Sequence, residues 1–504
     1  MSYDVVIVGA SIAGCTAATL YGRAGLTVAL VEKHRSAATF KTLCGHFVLG
    51  GAQATLRRTG LWDAMEREGA AVGRVANWTE HGWVVPDADA PACISLRRER
   101  LDPLLRRTVA ATPGVDLFLG RTAVSLVWKD GRIAGVRTRD RGGDEHELRG
   151  RLVVAADGHR SPVAAMAGVA EDVAPNERFG FWAYYRGVVP RGPGRNQVWR
   201  LDPDVGIVVA TDDGLTMLVA FPSKARLEEF RGDRAAALEA FVAALPDGPD
   251  LSGAERVSKV IGTTDYPCVK RDPTPHRGLV LVGDAAITGD PTPAVGCGWA
   301  FRAAEWLVEA TAPALRNGGD LDRSLARYRK ALRFIERHDA IGRQDARARP
   351  MNPLQRAIGI AAAHDRKVAR ATYLFAMRAV PVSGLLNPGV ILRSLLVAWR
   401  SAGRPPDPPR RAPEASFTKD CQGCSVPACE QSWTGSPCAT GSGRGCGRTW
   451  GRRPRGSAPP RGCCATPSSS AWSPPTAAAA TTASTASVTC SPPPTTASWP
   501  AATR

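Results

Sequence analysis

Apolar residues fall in distinct rhythms along this 504-residue chain. Unbroken runs of β-formers at 5–8, 27–31, 152–156 and 278–282 read as strands buried on both faces, the kind found in parallel sheets. Helical stripes lie between them, at 15–24 closed by Gly25, at about 52–68 with Leu56, Leu61 and Met65 on one face, at 101–111 and at 298–315. Shorter strands at 115–119, 123–128 and 135–138 are joined by hairpin chemistry such as Lys129-Asp130-Gly131. Strand patterns return at 182–188, 206–211 and 216–221, followed by amphipathic helices at 224–230 and 233–245. This order predicts an α/β fold with two parts and a helical end. A Rossmann-like domain with a parallel sheet and a β-meander takes residues 1–70, 94–175 and 262–330. An α+β substrate domain with an antiparallel sheet takes 71–93 and 176–261, and a C-terminal helical region takes 331–403.

The first run enters the turn Gly9-Ala10-Ser11-Ile12-Ala13-Gly14, and the second ends in Glu32, 18 positions after Gly14. Strand, small-residue turn, helix, strand and acid in that register is the layout of a dinucleotide-binding βαβ unit. Gly9 makes the tight turn and Gly14 lets helix and strand approach. Ser11, Ile12 and Ala13 offer helix N-terminal N–H groups to a pyrophosphate, and Glu32, followed by Lys33, accepts from ribose hydroxyls. Ser11 stands where a middle glycine is usual, which tightens backbone access to phosphate without closing it.

Two further motifs follow buried strands: Asp157-Gly158-His159-Arg160-Ser161 and Gly283-Asp284-Ala285-Ala286. Each puts an aspartate at the C-terminal mouth of a parallel strand, where open α/β sheets bind ligands. With the N-terminal fingerprint, the chain resembles the FAD-dependent monooxygenases of the p-hydroxybenzoate hydroxylase type, relatives of the flavin-dependent halogenases and geranylgeranyl reductases, over roughly residues 3–400. The resemblance implies that the Rossmann-like part binds FAD. Asp157 and Gly158 would lie near flavin and pyrophosphate, and Gly283 and Asp284 at the ribityl chain. Gly296-Cys297-Gly298 would set a helix N-terminus against the negative charge of the reduced ring. Arg98 would head the helix that lines FAD. The implied activity is oxygen transfer from O2 to an aromatic or polyketide- or isoprenoid-like small molecule through a flavin C4a-hydroperoxide, with NAD(P)H as reductant. Only one glycine fingerprint is evident, so NAD(P)H would bind transiently or a separate flavin reductase would deliver electrons.

Departures from the relatives narrow the reading to a hydroxylase or epoxidase. The halogenase Trp-x-Trp-x-Ile-Pro and the reductase Tyr-x-Trp-x-Phe-Pro patterns are absent, and no lysine occurs between Lys41 and Lys129, although halogenases need one. The segment Lys41-Thr42-Leu43-Cys44-Gly45-His46 resembles bacterial monooxygenases of specialised, antibiotic-type metabolism. His46 is either a base for a phenolic substrate or a histidine bonded within its loop. Asp290 and Pro291 either face the flavin edge or shape the loop. Trp182, Tyr184, Tyr185 and Trp199 are pocket walls or plain sheet core.

Composition adds boundaries. Of the +18 net charge, residues 417–504 carry +6, from eight Lys/Arg against Asp420 and Glu430. The remaining +12 is scattered arginine without an aromatic-spaced stripe, which argues against nucleic acid. Five widely spaced cysteines precede residue 417 and eight follow it, so the body reads as a reduced, cytoplasmic protein without a metal site. The first strand starts too early for a leader, and no apolar run spans a membrane. The stretch 404–504, rich in Pro, Ala, Ser, Thr and Cys, reads as a disordered tail. Its abrupt change of composition also fits a shifted reading frame.

Overall fold

Five parallel strands form the spine of the computed structural model, which describes residues 1–401. The readings made above for 404–504 lie outside the described residues. In spatial order the strands are Val115–Leu119, Val28–Glu32, Ser2–Val8, Glu145–Ala155 and Leu279–Leu281. Val5, Val6, Ile7 and Val28 to Leu30 are wholly buried, which is why these runs do not alternate. The fingerprint helix Ile12–Arg23 packs against Arg98–Ala110 and Gly296–Asn317. Its Tyr21 hydroxyl meets Thr311 Oγ at 2.6 Å across the second of these contacts.

Glu145–Ala155 serves two sheets' worth of pairing. Its first half pairs antiparallel with Arg132–Arg139, the middle of a meander that begins at Thr122–Lys129. Its second half pairs parallel with Ser2–Val8, in the register Val5 to Leu152, and with Leu279–Leu281. The sequence pattern predicted only 152–156, because the charged run from Glu145 to Arg151 hides the exposed half of the strand.

A second, eight-stranded sheet runs in the order Glu255–Arg256, Gly180–Arg186, Thr216–Phe221, Val205–Ala210, Asn196–Arg200, Val75–Thr79 and Gly82–Val84, with Ile261–Thr263 beside Gly180–Arg186. All its pairs are antiparallel except Asn196–Arg200 with Val75–Thr79. One face packs on helix Arg234–Ala243 through Phe181, Tyr185, Trp199, Leu218 and Phe241. The opposite face is turned to a cavity.

Several elements differ from expectation. The helix predicted over 52–68 is two, Gln53–Arg58 and Leu61–Arg67, parted at Gly60, whose φ of 71° ends one helix and starts the next. The segment Lys224–Phe230 is a 3-10 helix. A small sheet of Phe47–Val48, Cys93–Ser95 and Ala71–Gly73 has strands too short to show any period. Four helices complete the described chain: Leu321–Asp345, Pro353–His364, Arg366–Ala376 and Pro388–Ser401. Among the described residues no helix is long and apolar enough to cross a membrane.

Candidate functional site

A cavity of about 740 Å³ runs between the two sheets. Its polar end lies over the C-terminal edges of the parallel strands, and its far end over the inner face of the antiparallel sheet. Glu32, Asp157 and Asp284, from three distant stretches of sequence, all line it. So do Gly9, Ser11, Ile12, Ala13, Lys33, Arg98, Gly158, Asp290, Pro291, Gly296 and Cys297.

The polar end is built by close approach. Gly9 has φ of 104°, and a Cβ there would lie 2.4 Å from the Ala156 carbonyl oxygen. A Cβ on Gly14 would lie 1.8 Å from the Gly9 carbonyl oxygen. Gly14, Gly283 and Gly298 do not line the cavity; they let its walls meet, Gly283 against Ala13 and Gly298 against Ala52. Glu32 is buried, and its carboxylate accepts from the Ala10 N–H at 2.9 Å and the His34 N–H at 3.0 Å, which clamps turn to strand.

Arg98 donates two hydrogen bonds to the Asp102 carboxylate, at 2.8 and 2.9 Å, and a third to Ser11 Oγ at 2.8 Å. The serine in the middle-glycine place is therefore a hydrogen-bond anchor for the arginine. Arg106, on the same helix, donates to the carbonyls of Ala10 and Ala37, both at 2.9 Å, and of Thr39. Asp102 and Arg106 were missed by the motif reading. Their signal lay in the helical spacing, four and eight residues after Arg98 on one face.

Asp157 is turned into its own loop. It accepts from Ser161 Oγ at 2.7 Å and the Val163 N–H at 2.9 Å, and burial raises its carboxyl above the ordinary range. Asp284 pairs with Lys41 Nζ at 3.0 Å. Burial alone would raise its carboxyl, but the Lys41 charge and hydrogen bond hold it below the ordinary value. Lys41 thus brings an ammonium into the cavity from just outside the lysine-free stretch 42–128.

Cys297, one residue into its helix, faces Cys44 with sulfurs 3.6 Å apart. The hydrogen bond from Cys297, aided by Arg98 and Lys41, lowers the Cys44 thiol, and the Cys297 thiol is correspondingly raised. Next to this pair, His46 sits buried at φ of 44°. Thr211 Oγ donates to Asp212 at 2.9 Å, so it accepts from His46 Nε2 at 3.2 Å. Nδ1 then accepts from the Tyr184 hydroxyl at 3.3 Å. Burial pushes this imidazole down to about 4, leaving it neutral at physiological pH. Asp290 accepts from Thr292 N and Oγ and from Asn176 at 2.8–3.1 Å, and burial raises its carboxyl.

The far end is apolar. Val75, Trp182, Val198, Ile207, Val209, Met217, Val219 and Phe221 line it, each from the same face of its strand. Trp199, expected as a pocket wall, points the other way: strand alternation buries it under helix Arg234–Ala243, with Nε1 on the Pro246 carbonyl at 2.7 Å. Tyr185 is displaced to that face for the same reason. Tyr184 shares the cavity side with Trp182 but stands behind His46, its ring stacked at 5.7 Å.

The residues present fit FAD: a turn whose glycines let strand and helix pack close, an open helix N-terminus, an acid at the end of the second strand, and one cavity joining all three motifs. Residues 2–233 match the FAD binding domain family. Digeranylgeranylglycerophospholipid reductase 2 of Methanothermobacter thermautotrophicus is 26% identical over 329 residues, 65% of this chain and 82% of that protein. The 6-methylpretetramide 4-monooxygenase of Streptomyces rimosus is 31% identical over 176 residues, 34% of this chain and 41% of that one. A solved flavin-dependent brominase superposes with a TM-score of 0.65 at 16% identity, covering 80% of this chain and 100% of its own. The p-nitrophenol 4-monooxygenase of Pseudomonas putida superposes at 0.60 with 21% identity, covering 75% and 98%.

Proposed function

We propose that this chain, an FAD-dependent oxidoreductase that fits the superfamily of FAD monooxygenases, flavin halogenases and geranylgeranyl reductases, is a monooxygenase that inserts one atom of O2 into an apolar organic small molecule. The observation that supports this reading is the single cavity with a nucleotide-type cradle at one end and an apolar sheet floor at the other. Bound FAD, reduced by NAD(P)H, would supply the oxygen chemistry. The protein's part is to hold, orient and keep dry. Glu32 and the helix N-terminus at Ser11 would hold the adenosine and pyrophosphate end. Asp284 with Lys41 would hold the ribityl chain, and the N-terminus of Gly296–Asn317 would favour negative charge on the ring. Trp182, Ile207, Met217 and Phe221 exclude water around the acceptor. His46, with each ring nitrogen engaged and its neutral form favoured, is a positioning residue for its loop and not a free base.

The experiment is purification with an absorbance spectrum, then a substrate screen for O2-dependent NAD(P)H oxidation with 18O2. A yellow protein whose product carries one 18O atom is expected. A protein that neither holds nor takes up flavin contradicts the proposal. The reductase relatives favour a second reading, saturation of an isoprenoid double bond. Turnover without O2, giving a product two hydrogens heavier, would select it.

A further inference from the structure

The last described helix, Pro388–Ser401, has two apolar sides. Val390 and Val397 pack with Ile358, Ala361 and Leu385 in a small core. The other side presents Leu392, Leu395, Leu396 and Trp399, at helical positions i, i+3, i+4 and i+7, exposed by 66%, 48%, 45% and 75%. Leu386, 42% exposed, continues the ridge just before the helix. The other exposed large apolar side chains of the described residues are scattered over Met1 to Val257, whereas these five fall within fourteen residues. Concentration of this kind marks an interaction surface.

Charge identifies the partner. Residues 353–401 carry seven Lys/Arg against one carboxylate, Asp365, although Arg378 is buried and Arg356 pairs with Asp202. Arg393 pairs with that carboxylate, and Arg400 follows Trp399 at the helix tip. Arg366 and Arg370 pair with Asp87 and Asp89. Leucines on one side, a tryptophan at the end and arginines beside the ridge are the layout of a helix lying in a bilayer interface. Fourteen residues are too few to span one. A second copy fits less well: pairing two such ridges would bury roughly 500 Å² per partner, against about 800 Å² in stable interfaces.

We propose that Pro388–Ser401 docks this protein on an anionic lipid surface, with Leu392, Leu395, Leu396 and Trp399 in the acyl boundary and Arg400 at the headgroups. The neighbouring helix Arg366–Ala376 and Met377 after it bring Ala376 and Met377 to the cavity wall, so docking places the apolar pocket beside the phase where apolar substrates concentrate. This inference rests on the helix and not on the flavin reading, and its test needs no turnover.

The test is flotation of the full-length protein with phosphatidylcholine vesicles, with and without phosphatidylglycerol. Co-flotation with the anionic vesicles, weakened by salt, is expected. Leu395→Ser with Trp399→Ser should reduce binding by about tenfold or more while leaving the thermal midpoint unchanged, since both side chains face out. Arg400→Glu should weaken binding to anionic vesicles and not the residual binding to phosphatidylcholine. Three results each overturn the proposal: no flotation, flotation of the double variant equal to the parent (binding by residues beyond 401), or a monomer–dimer equilibrium that the double variant abolishes without any lipid binding.

Discussion

His46 ties protonation to folding. Its folded pKa of about 4 lies below the ordinary imidazole value, so the unfolded chain binds the extra proton between about pH 6.5 and 4. Stability from this group is therefore complete above about pH 6.5 and falls as pH drops through that window, by on the order of 3 kcal/mol. Buried His338, also pushed down to about 4, acts in the same direction. Urea unfolding at pH 7.5 and 4.5 should show the loss, and His46→Gln should flatten about half of it. An unchanged slope in that variant would mean the ring is solvated. The Cys44–Cys297 pair makes a second test at this scale. Dilute hydrogen peroxide should join the two sulfurs, releasing two waters per peroxide consumed and lowering the mass of the linked peptides by two hydrogens. Cys297→Ser should prevent the link, and persistence of two free thiols under peroxide would count against the pairing. Glu32 and Asp284 could be placed at the cavity in advance because each sits in a motif with fixed spacing, and Arg98 through the family resemblance. Lys41, Thr211 and Asp212 were not, since they meet the site only through contacts far apart in sequence.

Among the elements, strand alternation separates two tryptophans of the same sheet. Trp182 faces the cavity and Trp199 the helix layer. Trp182→Ala, which widens an existing cavity, should cost less fold stability than Trp199→Ala and change which substrates are turned over, read as a shift in kcat/KM across a ligand series. Trp199→Ala should cost about 3–5 kcal/mol in chemical unfolding, by cavity creation. Equal costs at the two positions would mean the faces are misassigned. A parallel contrast exists between glycines. Gly14→Ala forces the fingerprint helix off the first strand and should cost about 1–3 kcal/mol, with flavin lost on gel filtration. Gly298→Ala meets only the Ala52 Cβ at 3.6 Å and should be neutral or slightly stabilising. Long periodic helices and buried runs could be read in advance, whereas the break at Gly60 and the two- and three-residue strands could not. A glycine's φ and a short strand's partner are decided by the surrounding fold.

At the scale of the molecule, the order of strands and helices predicted the α/β class and the antiparallel insert. It did not reveal that one strand, Glu145–Ala155, belongs to the meander at one end and to the parallel spine at the other. The parallel partner on its outer edge, Leu279–Leu281, is made more than 120 residues later, and the helix headed by Gly296 later still. During synthesis from the ribosome, the Gly9 and Glu32 side of the groove can therefore assemble while its Asp284 and Gly296 side is still untranslated. Stalled nascent chains ending near residue 270 should retain no flavin, and chains extended past Asn317 and clear of the exit tunnel should. Vitamin supply would then act on this protein late in its birth, as a ligand that closes an already half-built vault.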